Sequence, residues 1–341
     1  MKEHYNISAT KCPRAKNRQE RRIMGKIETV LGSIDSAQLG WCQCHEHIFL
    51  EKCKSYDVNT ALMMNDYQKS TQELVEYAAA GGGAIVDAQP VAGGRMAEWE
   101  IQASKESGVH IIASTGFHKT MFYYEDSILF SKSEEQLADL FIEECEDGMY
   151  SSMATGFEKT NAKAGVIKVA VDSGGVYGDK TYEKLFAAAA HAQKQTGRTL
   201  VCHIENGADA LEVVDFFTKR GIAPQKIIIC HIDRTKYDLD YHEEVAKTGV
   251  FLDYDTINRL NYHDNDQEAR LICHMLEKGY QNQLLFALDT TNKRLRNYGA
   301  TMGLDFILTE FKPFLAEKYG VAEDITQNIM TINAQNALEI R

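Results

Sequence analysis

The feature that most constrains this chain is an alternation of short apolar runs with stretches of helical spacing. After a hairpin read over Lys26 to Leu31 and Ser33 to Leu39, the first run is Gly40 to Leu50. Others follow at Ala84 to Ala88, Val109 to Thr115, Gly165 to Val171, Thr199 to His203, Lys226 to His231, Val250 to Asp253 and Leu284 to Leu288. Helical spacing fills the intervals, for example Met64 to Ala80, Glu134 to Glu146, Tyr182 to Gln195, Ala208 to Lys219, Tyr241 to Lys247, Gln267 to Lys278 and Leu304 to Lys318. The runs are apolar nearly throughout, as strands covered on both faces of a parallel sheet must be. Eight such β/α units predict a closed α/β architecture, the (β/α)8 or TIM barrel. A doubly wound open sheet is the alternative, but no glycine-rich phosphate loop follows the first strand. Gly81-Gly82-Gly83 ends a helical stretch and reads as its C-cap and turn.

Composition narrows the function classes. Against 49 acidic residues stand 37 Lys and Arg, a formal charge of −12, which argues against a nucleic-acid binder with a broad basic surface. No run approaches the roughly 18 apolar residues of a membrane span, and the polar, basic N-terminus has no apolar leader segment. Eight Cys in 341 residues are too dilute for a disulfide scaffold, so a reducing, cytoplasmic setting is expected. Residues 1–23 read as a basic arm, with seven Lys or Arg between Met1 and Arg22, and 24–341 as a single domain.

Ionisable residues recur where the predicted strands end. His45 and His47 in Cys44-His45-Glu46-His47 are two apart, so on a strand both leave the same face, which is chelating geometry. Taken alone, the His-x-His pair reads equally well as core or surface histidines. His203, His231 and Asp289 each close a different strand, and a barrel gathers those ends around one mouth. Lys168 sits inside Gly165-Val166-Ile167-Lys168-Val169-Ala170-Val171, where a buried ammonium is costly. One reading has it snorkelling or paired with Asp172. The other has it carbamylated by CO2, an anion able to bridge two divalent metals about 4 Å apart. Four imidazoles, a carbamate and an aspartate suit Zn²⁺ or a similar transition metal. Strand alternation points Cys202 and Cys230 away from their neighbouring histidines, so thiolate ligation is not expected.

With these motifs the chain resembles the phosphotriesterase family of the amidohydrolase superfamily, over about Gly25 to Ile340. The likeness is carried by Thr29-Val30-Leu31-Gly32, His45-Glu46-His47, Ala164-Gly165-Val166-Ile167-Lys168, Cys202-His203, Cys230-His231-Ile232-Asp233 and Leu288-Asp289. It implies that His45, His47 and Asp289 hold the more buried of two metals and His203 and His231 the more exposed one. Carbamylated Lys168 and a hydroxide would bridge them, with Mn²⁺ or Co²⁺ as alternatives to Zn²⁺. It also implies a TIM barrel, commonly a homodimer, acting on lactones or organophosphate esters. The hydroxide would attack a carbonyl or phosphoryl centre and Asp289 would take up the proton. Cys44 departs from the family, which has Pro or Ala there.

The loops after strands 6, 7 and 8 rim the mouth of such a barrel and are basic. Loop 6 carries Arg234 and Lys236, loop 7 Arg259 and Tyr262, and loop 8 Lys293, Arg294, Arg296 and Tyr298. Arg with Tyr suits a phosphate through charge-assisted hydrogen bonds, although a charged loop can equally be a solvated face. Arg259-Leu260-Asn261-Tyr262 resembles the phosphate-holding loop of the phospho-furanose lactonase branch. The expected substrate is therefore an anionic small molecule, a phosphorylated sugar lactone, bound by Arg259, Tyr262, Lys293, Arg234 and Lys236. The competing readings are a hydrolase of unphosphorylated lactones or phosphotriesters, and a non-catalytic sugar-phosphate binder.

Overall fold

A computed structural model describes residues 25–152, 158–235 and 238–340. The basic arm and Lys236 lie outside the described residues. An antiparallel hairpin, β1 (Lys26–Thr29) with β2 (Gly32–Asp35), leads into eight strands. These are β3 (Trp41–Glu46), β4 (Gly82–Asp87), β5 (His110–Gly116), β6 (Val166–Val171), β7 (Thr199–Ile204), β8 (Ile227–Cys230), β9 (Phe251–Tyr254) and β10 (Leu284–Phe286). They pair in parallel in sequence order from β3 to β10. The last strand returns to the first where Asp289 N–H donates to the His45 carbonyl (3.1 Å), which makes the sheet a barrel. The Glu46 carboxylate secures the same seam by accepting from the Leu288 N–H, the Thr290 N–H and the Thr290 hydroxyl. No helix among the described residues is long and apolar enough to cross a membrane.

The helices begin where the sequence offers caps. Asp66, Ser133, Asp179, Asp209, Asp238 and Asp264 each accept a backbone N–H of the turn that follows. Alternation sorts the strand residues into two cores. Ala84, Val86, Ile112, Val166, Val201, Ile228 and Leu285 fill the barrel. Ile85, Ile111, Ile167, Leu200, Ile229 and Leu252 pack under the helices. Ile27 of the hairpin and Ala334, Ala337 and Leu338 of the last helix join the inner cluster. The glycine run does more than end a helix: Gly81 turns at φ +103°, and Gly82 and Gly83 already belong to β4.

Gly116 fixes how β5 and β6 meet beside Lys168. Its φ is +96°, and a Cβ there would lie 2.0 Å from the Lys168 carbonyl oxygen. The next residue, Phe117, donates its N–H to that carbonyl (2.9 Å). Gly116→Ala therefore combines a disfavoured backbone with a clash that only strand separation relieves, and should cost well over 1 kcal/mol. Urea unfolding measures this; an unchanged midpoint would show that the close approach is dispensable.

Candidate metal centre

The six residues singled out at strand ends converge on one mouth. Lys168 lies in β6 and His203 in β7, both facing inward in register with Val166 and Val201. His231 lies one residue beyond β8 and Asp289 three beyond β10. Both take left-handed backbone conformations, φ +63° and +48°, unusual for residues with a side chain. His45, His231 and Asp289 offer ligand atoms within 4.8 Å of one another. His47 Nε2 lies 3.4 Å from Asp289 Oδ1, His203 Nδ1 lies 2.7 Å from His231 Nε2, and Lys168 Nζ lies 2.9 Å from His45 Nε2.

The left-handed turn at His231 corrects one expectation. Alternation was to aim Cys230 away from the site, yet its thiol lines the barrel with Ile228 and lies within 4.8 Å of ligand atoms of His45, Asp253 and Asp255. A residue at φ +63° breaks the extended period, so Cys230 and His231 both face inward. Burial and the nearby Asp253 push the Cys230 thiol well up, which disfavours the thiolate. Cys202 packs in the outer core, as alternation requires.

Asp255, just beyond β9, organises the imidazoles. Its carboxylate lies 2.9 Å from His45 Nδ1 and 2.7 Å from His231 Nδ1, and it accepts the His231 backbone N–H. A carboxylate receiving both Nδ1 protons leaves lone pairs on both Nε2 atoms, the arrangement of a metal-ligating histidine. Burial, reinforced by Lys168, holds His45 well below the usual imidazole range, and burial with Arg234 does so for His231. His203 is lowered to about 3, again chiefly by burial. All three shifts favour neutral rings, and Nε2 of His231 meets Nδ1 of His203 at hydrogen-bond distance.

Carboxyl groups gather at the same end, where burial pushes Glu46, Asp233, Asp253 and Asp255 up towards their neutral forms. Glu46, Asp233, Asp253, Asp255 and Asp289 are all buried at this end of the barrel, and neither Asp253 oxygen has a hydrogen-bond partner among the described residues. Lys168 is buried, neither snorkelling nor paired with Asp172, whose carboxylate accepts the Tyr182 hydroxyl. Burial lowers its pKa, favouring a neutral amine. Burial works to raise Asp289, but Arg259, His231 and the His47 contact outweigh it and hold the carboxyl well below the usual range.

The rim is only partly as the loops suggested. Arg259 places Nη1 2.7 Å from Asp289 Oδ2 and donates from Nη2 to the Asp289 carbonyl. Arg234 donates to the Tyr262 hydroxyl (3.2 Å), and both guanidiniums lie within 6 Å of the Tyr262 ring. Lys293 is exposed and makes no hydrogen bond or ion pair among the described residues. Arg294 is buried and donates to the Ile257 and Asn258 carbonyls, bracing loop 7, while Arg296 pairs with Glu76 and Asp305. Sequence reasoning passed over Asp255, Glu46 and Lys119, whose ammonium pairs with Glu205 at 2.6 Å. It also passed over His118, whose ring centroid lies 5.1 Å from that of His203. The signal for Asp255 was present: Asp253 and Asp255 are two apart at the end of an apolar strand.

The phosphotriesterase family model matches residues 25–338. A phospho-furanose lactonase of Mycoplasmopsis synoviae is 30% identical over 322 residues, covering 91% of this chain and 90% of its own. An N-acetyltaurine hydrolase of Tetraodon nigroviridis is 27% identical over 94% of this chain and 99% of its own. The crystal structure of a lactonase from Listeria monocytogenes superimposes with a TM-score of 0.84 at 25% identity, covering 93% of this chain and 99% of that one. The match spans the barrel from the entering hairpin to the last helix, and the chain belongs to the phosphotriesterase family of metal-dependent hydrolases.

Proposed function

We propose that this hydrolase opens a phosphorylated furanose lactone, and that a binuclear centre does the chemistry. The observation that carries the substrate reading is the Arg234, Tyr262 and Arg259 cluster beside Asp289. It sets donors suited to phosphate against the residues suited to hydrolysis. The similarity to a phospho-furanose lactonase supports the same reading. A guanidinium has five N–H donors, and Arg259 commits one from each Nη to Asp289, so others remain for an anion. Lys293 is exposed on the same rim, and Lys236 would add to it. The substrate is a small molecule, the chain a homodimer and the setting cytoplasmic in this reading.

His45, His47 and Asp289 would hold one metal, His203 and His231 the other, and a carbamate on Lys168 would join the two sites. Bound Zn²⁺, Mn²⁺ or Co²⁺ would supply a hydroxide at neutral pH and polarise the lactone carbonyl. The chain's own residues do the rest. Asp255 holds two imidazoles in the ligating tautomer. Burial lowers the Lys168 pKa and so favours the neutral amine, the form that reacts with CO2. Asp289, kept ionised by Arg259, is the acceptor for the proton released on attack and returns it to the departing ring oxygen. The Arg234, Tyr262 and Arg259 cluster orients the anionic end.

Three measurements follow. His203→Ala or His231→Ala should deplete bound metal and abolish hydrolysis; full metal content and activity in both variants would remove these residues from the ligand set. Lys168→Ala should be inactive, with partial rescue by short carboxylic acids, and the unaltered protein should show a carbamate carbon signal after exposure to ¹³CO2. An unmodified amine in the fully metallated protein contradicts this. Arg259→Ala should lower kcat/KM on both a phosphorylated lactone and its dephosphorylated counterpart, because Arg259 also touches Asp289. The phosphorylated substrate should lose an additional factor of about 10 to 100, the worth of a charge-assisted hydrogen bond. Equal losses would show that the rim does not read phosphate.

A further inference from the structure

His118 is a fifth imidazole at the mouth, outside the ligand set and beyond the roles assigned above. It follows β5, is buried at 7% exposure, and its ring centroid lies 5.1 Å from His203, 6.3 Å from His47 and 4.8 Å from Phe122. Two hydrogen bonds fix it. Its backbone N–H donates to the Tyr123 hydroxyl (2.8 Å), and its Nδ1 accepts the Lys119 N–H (2.7 Å). A neutral imidazole that accepts at Nδ1 carries its proton on Nε2. That tautomer has no lone pair left for a metal, so His118 differs in kind from His45 and His231, whose Nδ1 atoms face Asp255. Burial, with His203 and Lys168 nearby, disfavours the imidazolium. Among the described residues the ring makes no hydrogen bond besides the one at Nδ1. The site therefore contains an orientationally fixed donor with no acceptor among the described residues.

Position suggests what it meets. In a ring of eight strands ordered β3 to β10, β5 stands four places from β9, directly across the mouth from the loop carrying Arg259 and Tyr262. In a furanose lactone the phosphate-bearing carbon is attached beside the ring oxygen. With the phosphate on the Arg259 side, the leaving oxygen lies on that flank. The carbon on the other side of the carbonyl, which carries the 2-hydroxyl in an aldonolactone, falls towards β5.

We propose that His118 is a specificity-determining residue whose Nε2–H donates a hydrogen bond to the hydroxyl on the carbon next to the lactone carbonyl, selecting 2-hydroxy lactones. The inference rests on the phosphorylated-lactone reading. A site built to hydrogen-bond a substrate hydroxyl discriminates strongly against the analogue that lacks it.

The test is a two-by-two comparison of kcat/KM, wild type and His118→Ala against a phosphorylated 2-hydroxy furanose lactone and its 2-deoxy analogue, with metal content measured on each protein. The wild type should prefer the hydroxylated substrate by about tenfold or more. His118→Ala should lose that factor on the hydroxylated lactone, change little on the 2-deoxy lactone and keep its metal. His118→Gln, which retains an N–H donor, should recover part of the preference and serves equally if the alanine variant fails to fold. Equal losses on both substrates, or a wild type indifferent to the hydroxyl, overturn the assignment while leaving the lactonase standing. A wild type that opens neither lactone but hydrolyses other esters overturns the lactone reading and this inference with it.

Discussion

The site depends on one buried carboxylate. Asp255 reaches both His45, on the first barrel strand, and His231, beyond the sixth, and also accepts the backbone N–H of His231. Three donors converging on two oxygens tie three elements of the barrel mouth together. They also decide a chemical question that geometry alone leaves open, namely which ring nitrogens carry protons. Without this anchor the two rings could rotate or change tautomer, and the nitrogens that face Lys168 and His203 would no longer be predictable from the fold.

Backbone constraint is concentrated around the same place. His231 and Asp289 are left-handed, and Gly116 passes against the Lys168 carbonyl where no Cβ fits. Each non-glycine residue in such a conformation costs about 1 to 3 kcal/mol and persists only where its surroundings over-determine it. Here the surroundings are identifiable. The His231 N–H is held by Asp255, and the Asp289 N–H donates to the His45 carbonyl. Asp289 is further gripped by Arg259, which is itself backed by a loop that Arg294 braces from below. A basic rim that looked uniform in sequence thus divides into residues that touch the site and residues that hold the loops in place.

The barrel was legible because eight buried parallel strands leave a nearly continuous apolar signature, and the capping aspartates punctuate it. The convergence of His45, His47, Lys168, His203, His231 and Asp289 was legible because strand ends must meet at one mouth. What lay outside reach has physical reasons. Asp255 falls one residue past its strand, so a reading that stopped at Asp253 assigned it no partner. Cys230 faces inward in phase with Ile228, and it is His231 that a positive φ turns back towards the mouth, which no single-residue rule anticipates for histidine. Glu46 lies between two histidines and looked like a spacer, yet it closes the barrel seam from within, where burial pushes its carboxyl up to about 8 against three hydrogen bonds. Arg294 and Arg296 are spoken for by carbonyls and carboxylates that only the folded chain brings near.

The account stands most directly on the metal affinity of an Asp255→Asn protein, measured by competition with a chromophoric chelator alongside circular dichroism. Asparagine keeps the volume but replaces one acceptor with an N–H₂ group that cannot receive an imidazole proton. The account predicts a native spectrum with metal affinity lowered by about 10 to 100-fold, the usual cost of losing the group that orients a ligating histidine. A native spectrum with undiminished affinity would contradict it, and would show that His45 and His231 need no carboxylate to present their nitrogens.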